Sequence, residues 1–170
     1  MRAGGAGQRG NRGTWFLPWA REQEKVTLHL IKLCVGVASV EELAEWQAAR
    51  LAEQRKARKT PRLWHTTFQM PKREAELLDG GSIYWVIKGS VQARQRLVGF
   101  EPGTKSDGSK GCRILLDPLL VAVRPVPRRA FQGWRYLDAK DAPPDLELGD
   151  KALADMPAKL RRDLAELCLL

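Results

Sequence analysis

Apolar and polar positions alternate along this chain with two different periods, and the change from one to the other marks its elements. Val26 to Val35 mixes β-branched residues with leucine over ten positions and stops at Gly36, which predicts a buried strand. Ser39 followed three residues later by Glu42 is a capping box, in which the hydroxyl accepts from the Glu42 backbone N–H while the carboxylate returns to the Ser39 N–H. A helix is therefore expected from Val40. Its apolar stripe is Leu43, Trp46 or Gln47, and Leu51. Glu41 and Glu42 fill its first turn and Arg55, Lys56, Arg58 and Lys59 its last, an order that complements the helix dipole, and Pro61 stops it.

Beyond Pro61 the period shortens to two. Arg62 to Met70 alternates Trp64, Thr66 and Phe68 against Leu63, His65 and Thr67, as a strand would. Pro71 suits the first position of a two-turn helix, PKREAELL, which Gly80 and Gly81 break. In Ser82 to Lys88, Ile83, Trp85 and Ile87 share a core face, while Ser82, Tyr84, Val86 and Lys88 share the other. Gly89 and Ser90 connect this strand to Val91–Phe100, whose outer positions include Arg94 and Arg96, so a hairpin with one basic face is expected. EPGTKSDGSKG reads as a flexible excursion, and CRILLDP and LLVAVRPVP as two strands, the second ending at a sheet edge because of Pro125 and Pro127. Arg128 to Leu137 follows, then the acidic, proline-rich linker DAPPDLELGD, then a helix from Pro157 with Leu160, Leu164 and Leu167 on one face. No internal repeat is visible. The order of elements predicts an α+β domain whose small sheet is mostly antiparallel, or a small barrel, with flanking helices.

At 170 residues the chain is the size of one domain, and 44% hydrophobic residues suffice for a core without disulfides or a structural metal. The Gly/Arg-rich opening lacks an apolar period and is expected to be a disordered tail over residues 1–25, or a start assigned too far upstream of Val26. The domain then covers 26–170. TWFLPWA is too short and too interrupted for a secretory signal, and no apolar run approaches the roughly 20 residues of a membrane-spanning helix. Cys34, Cys112 and Cys168 stand apart and are odd in number, so free thiols in a reducing compartment are expected, and hence a cytoplasmic location.

The net charge of +9 is unevenly spread. Residues 50–135 carry 18 basic against 7 acidic groups, whereas 26–49 and 136–170 are net acidic. A basic block of this size points to a polyanion such as nucleic acid. Catalytic constellations are scarce by comparison. His29 lies within the most apolar strand and reads as a core imidazole, while His65, beside Trp64 and Thr66, is the better candidate for chemistry. No nucleophile elbow, phosphate loop, dinucleotide fingerprint or zinc-protease motif accompanies either, and the cysteines and histidines lack metal-ligand spacing. Neither a cofactor nor a metal is expected. The paired acids Glu41/Glu42, Glu74/Glu76 and Asp141/Asp145 read as structural.

Arginines interleaved with aromatic residues are the stronger signal, because guanidinium groups replace phosphate counterions while an aromatic face stacks on an unpaired base. The expected phosphate contacts are Lys88, Arg94, Arg96, Arg128 and Arg135, and the expected stacking or pocket walls are Trp64, Tyr84, Trp134 and Tyr136. This reads as a non-catalytic module for RNA or single-stranded DNA, with a pocket for one base. Two alternatives stay open: an enzyme acting through His65 with Arg62 or Arg94 on a phosphorylated substrate, and a protein-interaction module whose basic face meets an acidic partner.

VTLHLIKLCVG, PKREAELLDGGSIYWVIKGSVQARQRLVGF and PVPRRAFQGWRYLDAKDAPPDL together resemble the bacterial domain-of-unknown-function family numbered 1489, over residues 26–170. That resemblance implies a start at Val26 and brings no assigned activity. In topology, LLDGGSIYWVIKG, VQARQRLVGF and VAVRPVPRRAF are also similar to PUA-like domains, including the ASCH and EVE groups. This second resemblance implies a pseudo-barrel that binds RNA or modified bases in a pocket at its side. The EVE group's opening motif is missing here, so its base-cage residues are not carried over.

Overall fold

The computed structural model describes residues 27–105 and 107–146, with residues 157, 159, 160, 163 and 164 besides. The expected tail, Cys168 and most of the helix expected from Pro157 lie outside the described residues. The elements are β1 (Leu28–Leu33), α1 (Val40–Lys56), β2 (Leu63–Thr67), α2 (Glu74–Leu78), β3 (Ser82–Ile87), β4 (Ser90–Thr104), β5 (Lys110–Pro127) and β6 (Trp134–Asp138). They build one sheet in the order β2-β5-β4-β3-β1-β6, in which only the β1–β3 pair is parallel. The expected α+β class with a mostly antiparallel sheet is what the chain adopts.

Ser39 caps α1 as its sequence requires, accepting from the Glu42 N–H at 3.2 Å, but the Glu42 carboxylate reaches one residue further back, to the Ala38 N–H at 2.6 Å. Leu43, Gln47 and Leu51 form the buried stripe, which leaves Trp46 outside it and 52% exposed. The helix stops at Lys56, and Arg58 follows in a left-handed conformation (φ 54°), so Arg58 and Lys59 lie beyond the last turn. Pro71 does not open α2 as expected; Arg73 precedes its five residues. Gly81 ends that segment where an added Cβ would meet the Leu77 carbonyl oxygen at 2.2 Å and that of Leu28 at 2.4 Å, a close approach only glycine permits.

β3 is buried along its whole length. Ile83, Trp85 and Ile87 join Leu43 and Leu51 of α1 and Leu77 of α2 in one core, while Tyr84 and Val86 join Ile31, Val91, Val123 and Leu137 in a second core on the opposite face. The second face of the strand is therefore covered as well. What covers it is the chain after β6: Arg124 N–H donates to the Pro144 carbonyl at 2.9 Å, Leu146 N–H to the Ala122 carbonyl at 3.1 Å, and Asp145 bridges to Val123. Two further readings are corrected. EPGTKSDGSKG is the tip of a long hairpin, paired up to Thr104 and Lys110, and not a flexible excursion. CRILLDP and LLVAVRPVP run on as one strand, because β2 pairs with β5 only as far as Leu116 and the β4–β5 register shifts between Gln95 and Leu97, so Pro118 breaks no ladder.

The sheet is open in its hydrogen bonding, yet it curls until its edges meet through side chains. Trp134 Nε1 donates to the Gln69 carbonyl at 3.1 Å, and the Tyr136 hydroxyl accepts from the Lys72 and Arg73 N–H groups at 3.1 and 3.3 Å. No described helix is long and apolar enough to cross a membrane.

Candidate nucleic-acid interface

Register brings the ends of five strands together. Leu33 lies opposite Val86, Ile87 opposite Ser90, Ser90 opposite Pro127, and Lys32 opposite Trp134. The same end of the sheet therefore carries the close of β1, the β3–β4 turn, and the segment between β5 and β6. Lys88 and Gly89 form that turn with positive φ angles of 47° and 83°, a two-residue geometry matched to strand twist, and the Arg128 N–H donates to the Gly89 carbonyl at 2.8 Å. Lys88, Arg128, Arg129 and Arg135 are all exposed here, and none of them makes an ion pair with a described residue.

Three adjoining cavities surround the close of β1. The first, about 360 Å³, lies between Cys34–Val37, α1, β2 and Trp85. The second, about 660 Å³, shares Val35 with it and is lined by Lys32, Phe68, Lys105 and Phe131. The third, about 590 Å³, shares Phe131 and holds Arg128, Arg129 and Arg135, along with Asp138 and Asp141. The Arg135 guanidinium sits 4.9 Å from the Phe131 ring and Lys105 lies over Phe68, so cation and aromatic alternate around the rim.

The first cavity is walled by indoles. Trp46 and Trp64 flank Arg50, whose guanidinium is 5.3 and 4.2 Å from their rings, and Arg113 lies 5.4 Å from Trp64. Behind them Trp85 meets the His65 ring edge-on at 5.5 Å. Trp85 is held in turn by Gln95, whose Oε1 accepts from Trp85 Nε1 and Gln47 Nε2 at 2.9 Å each, while its Nε2 donates to Gln47 Oε1 at 2.8 Å and to the Asp117 carbonyl at 3.1 Å. Burial pushes the Cys34 thiol up to about 11, so it is uncharged at neutral pH.

Burial, reinforced by the Lys32 and Arg50 cations, pushes the His65 imidazole down to about 4 from its ordinary 6.5. Between those values the unfolded chain binds the extra proton and the folded chain does not, so this contribution is complete above pH 6.5 and is lost as the pH falls toward 4. Burial and Arg94 lower His29 as well, in the same direction. Unfolding in urea should show stability falling by up to about 3 kcal/mol between neutral pH and about pH 4, and His65→Phe should remove most of that slope. A profile flat over this range would contradict the placement of His65.

Of the residues selected in the sequence, Lys88, Arg128 and Arg135 gather at the basic end, and Trp64 walls the first cavity. Others stand apart. Arg94 is bound in both its Nε and Nη2 to the Asp145 carboxylate at 2.5 Å on the strapped face, and Arg96 lies opposite Ser82, at the far end of β3 from Lys88. Tyr84 is only 4% exposed, packed against His29 at 5.2 Å, and offers no free face. Trp134 and Tyr136 contact each other edge-on at 5.2 Å and serve chiefly to close the sheet edges, Tyr136 remaining accessible beside Arg135 in the third cavity. Arg62, the other basic partner considered for His65, is paired with Glu101 at 2.5 Å. Sequence reasoning missed Arg50 and the exposed or rim roles of Phe68 and Phe131, together with the cavity roles of Trp46 and Trp85, and it counted Arg129 in the arginine–aromatic cluster without selecting it as a contact. The Trp46-x-x-x-Arg50 spacing, one helical turn, was the signal available for the first of these.

A family model described as "Protein of unknown function (DUF1489)" matches residues 30–170. No curated protein and no solved structure matches the chain.

Proposed function

We propose, from the premise that the chain belongs to the DUF1489 family and from the geometry of its basic end, that it is a non-catalytic module binding RNA or single-stranded DNA. The observation that carries this reading is the convergence of Arg128, Arg129 and Arg135, from two strand ends, onto a rim that alternates cations with aromatic rings, with Lys88 in the adjoining β3–β4 turn. Arg94 is paired with Asp145, whereas these four make no ion pair with a described residue and so can meet phosphates. Phe68, 73% exposed, supplies a stacking face that folding does not consume.

The enzymatic alternative finds less support. His65 accepts or donates no hydrogen bond to a described carboxylate or hydroxyl, and both arginines considered as its partners are paired elsewhere.

Binding to fluorescent single-stranded oligonucleotides tests the proposal. Log affinity should fall with log salt at about −0.7 per phosphate contact, and Arg128→Ala, Arg129→Ala and Lys88→Ala should each reduce the slope by about one contact. Arg96→Ala should leave the slope unchanged. Absence of binding at micromolar protein in low salt, or a slope indifferent to all four basic-end residues, would remove the nucleic-acid reading and favour an acidic protein partner.

A further inference from the structure

We infer that the cavity behind Trp46 and Trp64 receives one uncharged heteroaromatic ring, the chemistry of an unpaired nucleobase, and excludes the same ring when it is positively charged. The inference deepens the nucleic-acid reading and rests on it for the source of the ring; the cavity's chemistry stands by itself. At about 360 Å³ it has the size of a small-ligand site, and Trp46, Trp64, Trp85, Leu43, Leu63 and Leu116 make most of its wall apolar and flat-sided.

Its amide and its deepest indole N–H are engaged. The Gln47 amide is bonded at both ends to Gln95, and Trp85 Nε1 donates to the same residue. The groups left over are the Trp46 and Trp64 N–H, the Cys34 thiol and His65, and of these only the imidazole can offer either a donor or a basic acceptor nitrogen. The His65 ring makes no hydrogen bond to a described residue, and yet its nitrogens are not among the buried atoms lacking a partner, which are confined to Gln92 Oε1 and Arg113 Nε among the described residues. They are therefore reachable from the cavity that His65 lines. An uncharged imidazole offers an N–H donor at one nitrogen and an acceptor at the other, so whichever faces the cavity can pair with one polar group on a heterocycle edge.

Charge sets the second half of the inference. An open cage of indoles attracts cations, but here two of the protein's own guanidiniums already lie against Trp64, Arg50 at 4.2 Å and Arg113 at 5.4 Å, which leaves Trp46 and Trp85 as the walls for a ring. Lys32 and Arg50 both lie near enough to His65 to disfavour its protonation. A cationic ligand would meet that same field. An uncharged ring whose phosphate rests at Arg50 would satisfy the wall, the imidazole and the guanidinium together.

Matched nucleosides test this by quenching of tryptophan fluorescence: adenosine against 1-methyladenosine and cytidine against 3-methylcytidine, the methylated member of each pair being cationic at neutral pH. At least one uncharged nucleoside should quench saturably, its cationic partner should bind about tenfold more weakly or worse, and the 5′-monophosphate should bind more tightly than the nucleoside. Trp46→Ala, at an exposed helix position, should weaken nucleoside binding without changing the melting temperature. Cys34→Phe, which fills the cavity, should abolish it while leaving the salt slope for oligonucleotides intact. Equal or tighter binding of the cationic members would overturn the inference. So would the absence of quenching by all four nucleosides at millimolar concentration; in that event salt-dependent oligonucleotide binding would leave the parent reading standing. Nucleoside binding without oligonucleotide binding would support the cavity assignment and reject the strand as its source.

Discussion

Replacing Trp85 with alanine is expected to lower stability by about 3–5 kcal/mol, the range for removing a large aromatic from a packed core. The indole is 2% exposed and stands at the middle of β3, a strand paired on both sides, to β1 and to β4. Two losses add to the cavity left behind. Gln95 Oε1 loses one of its two donors, and the His65 ring loses the edge-on contact that screens it from water. Trp85→Phe retains a ring against His65 but not the N–H, so a cost of about 1–2 kcal/mol is expected, mostly from the unfilled volume and the unmatched Gln95 lone pair. Urea unfolding followed by circular dichroism measures both, and a loss under about 1.5 kcal/mol for the alanine variant would mean that Trp85 is not the packed residue described. Because Trp85 is also the back wall of the first cavity, the phenylalanine variant is the informative one for ligand binding.

The strands at the centre were legible because burial imposes a period of two that survives at Ile83, Trp85 and Ile87. Tyr84 was expected as a stacking wall because it shares a face with Lys88, but Val86 between them is apolar, as in a strand covered on both faces. Proline misled for a related reason. Pro118 reads locally as a strand end, and it is tolerated only because no neighbour claims a hydrogen bond there, a fact fixed by where β2 stops. At the site, charge made Lys88, Arg128 and Arg135 visible, but it could not show that Arg94 is spent on Asp145, 51 residues away. The first cavity was half visible, through Trp64 and His65. Its other walls come from the Cys34–Val37 stretch after β1, from α1, from Trp85 of β3 and from Leu116 of β5, and no local period records that they converge.

The amide at the floor of that cavity carries the second large effect. Gln95 is fully buried and uses its whole hydrogen-bonding capacity, two acceptances at Oε1 and two donations at Nε2. Gln95→Leu keeps the volume but strands the Trp85 N–H, both ends of the Gln47 amide and one bond to the Asp117 carbonyl. With about 1–3 kcal/mol for each group left without a partner, and some relief for Gln47 through the cavity, a loss of about 3–5 kcal/mol is expected. Gln47→Leu strands only half of the Gln95 amide, for about 1–3 kcal/mol. The double variant removes both partners of the paired amides, so its cost should fall below the sum of the single costs by about 1 kcal/mol or more. Strict additivity in this cycle would mean that the two amides do not depend on each other. The same bonds tie α1 to β4 and so set the distance between the helix bearing Trp46 and the sheet bearing Trp85. Gln47→Leu should therefore weaken nucleoside binding in the cavity more than it weakens oligonucleotide binding at the basic end, since none of Lys88, Arg128, Arg129 and Arg135 is positioned by α1.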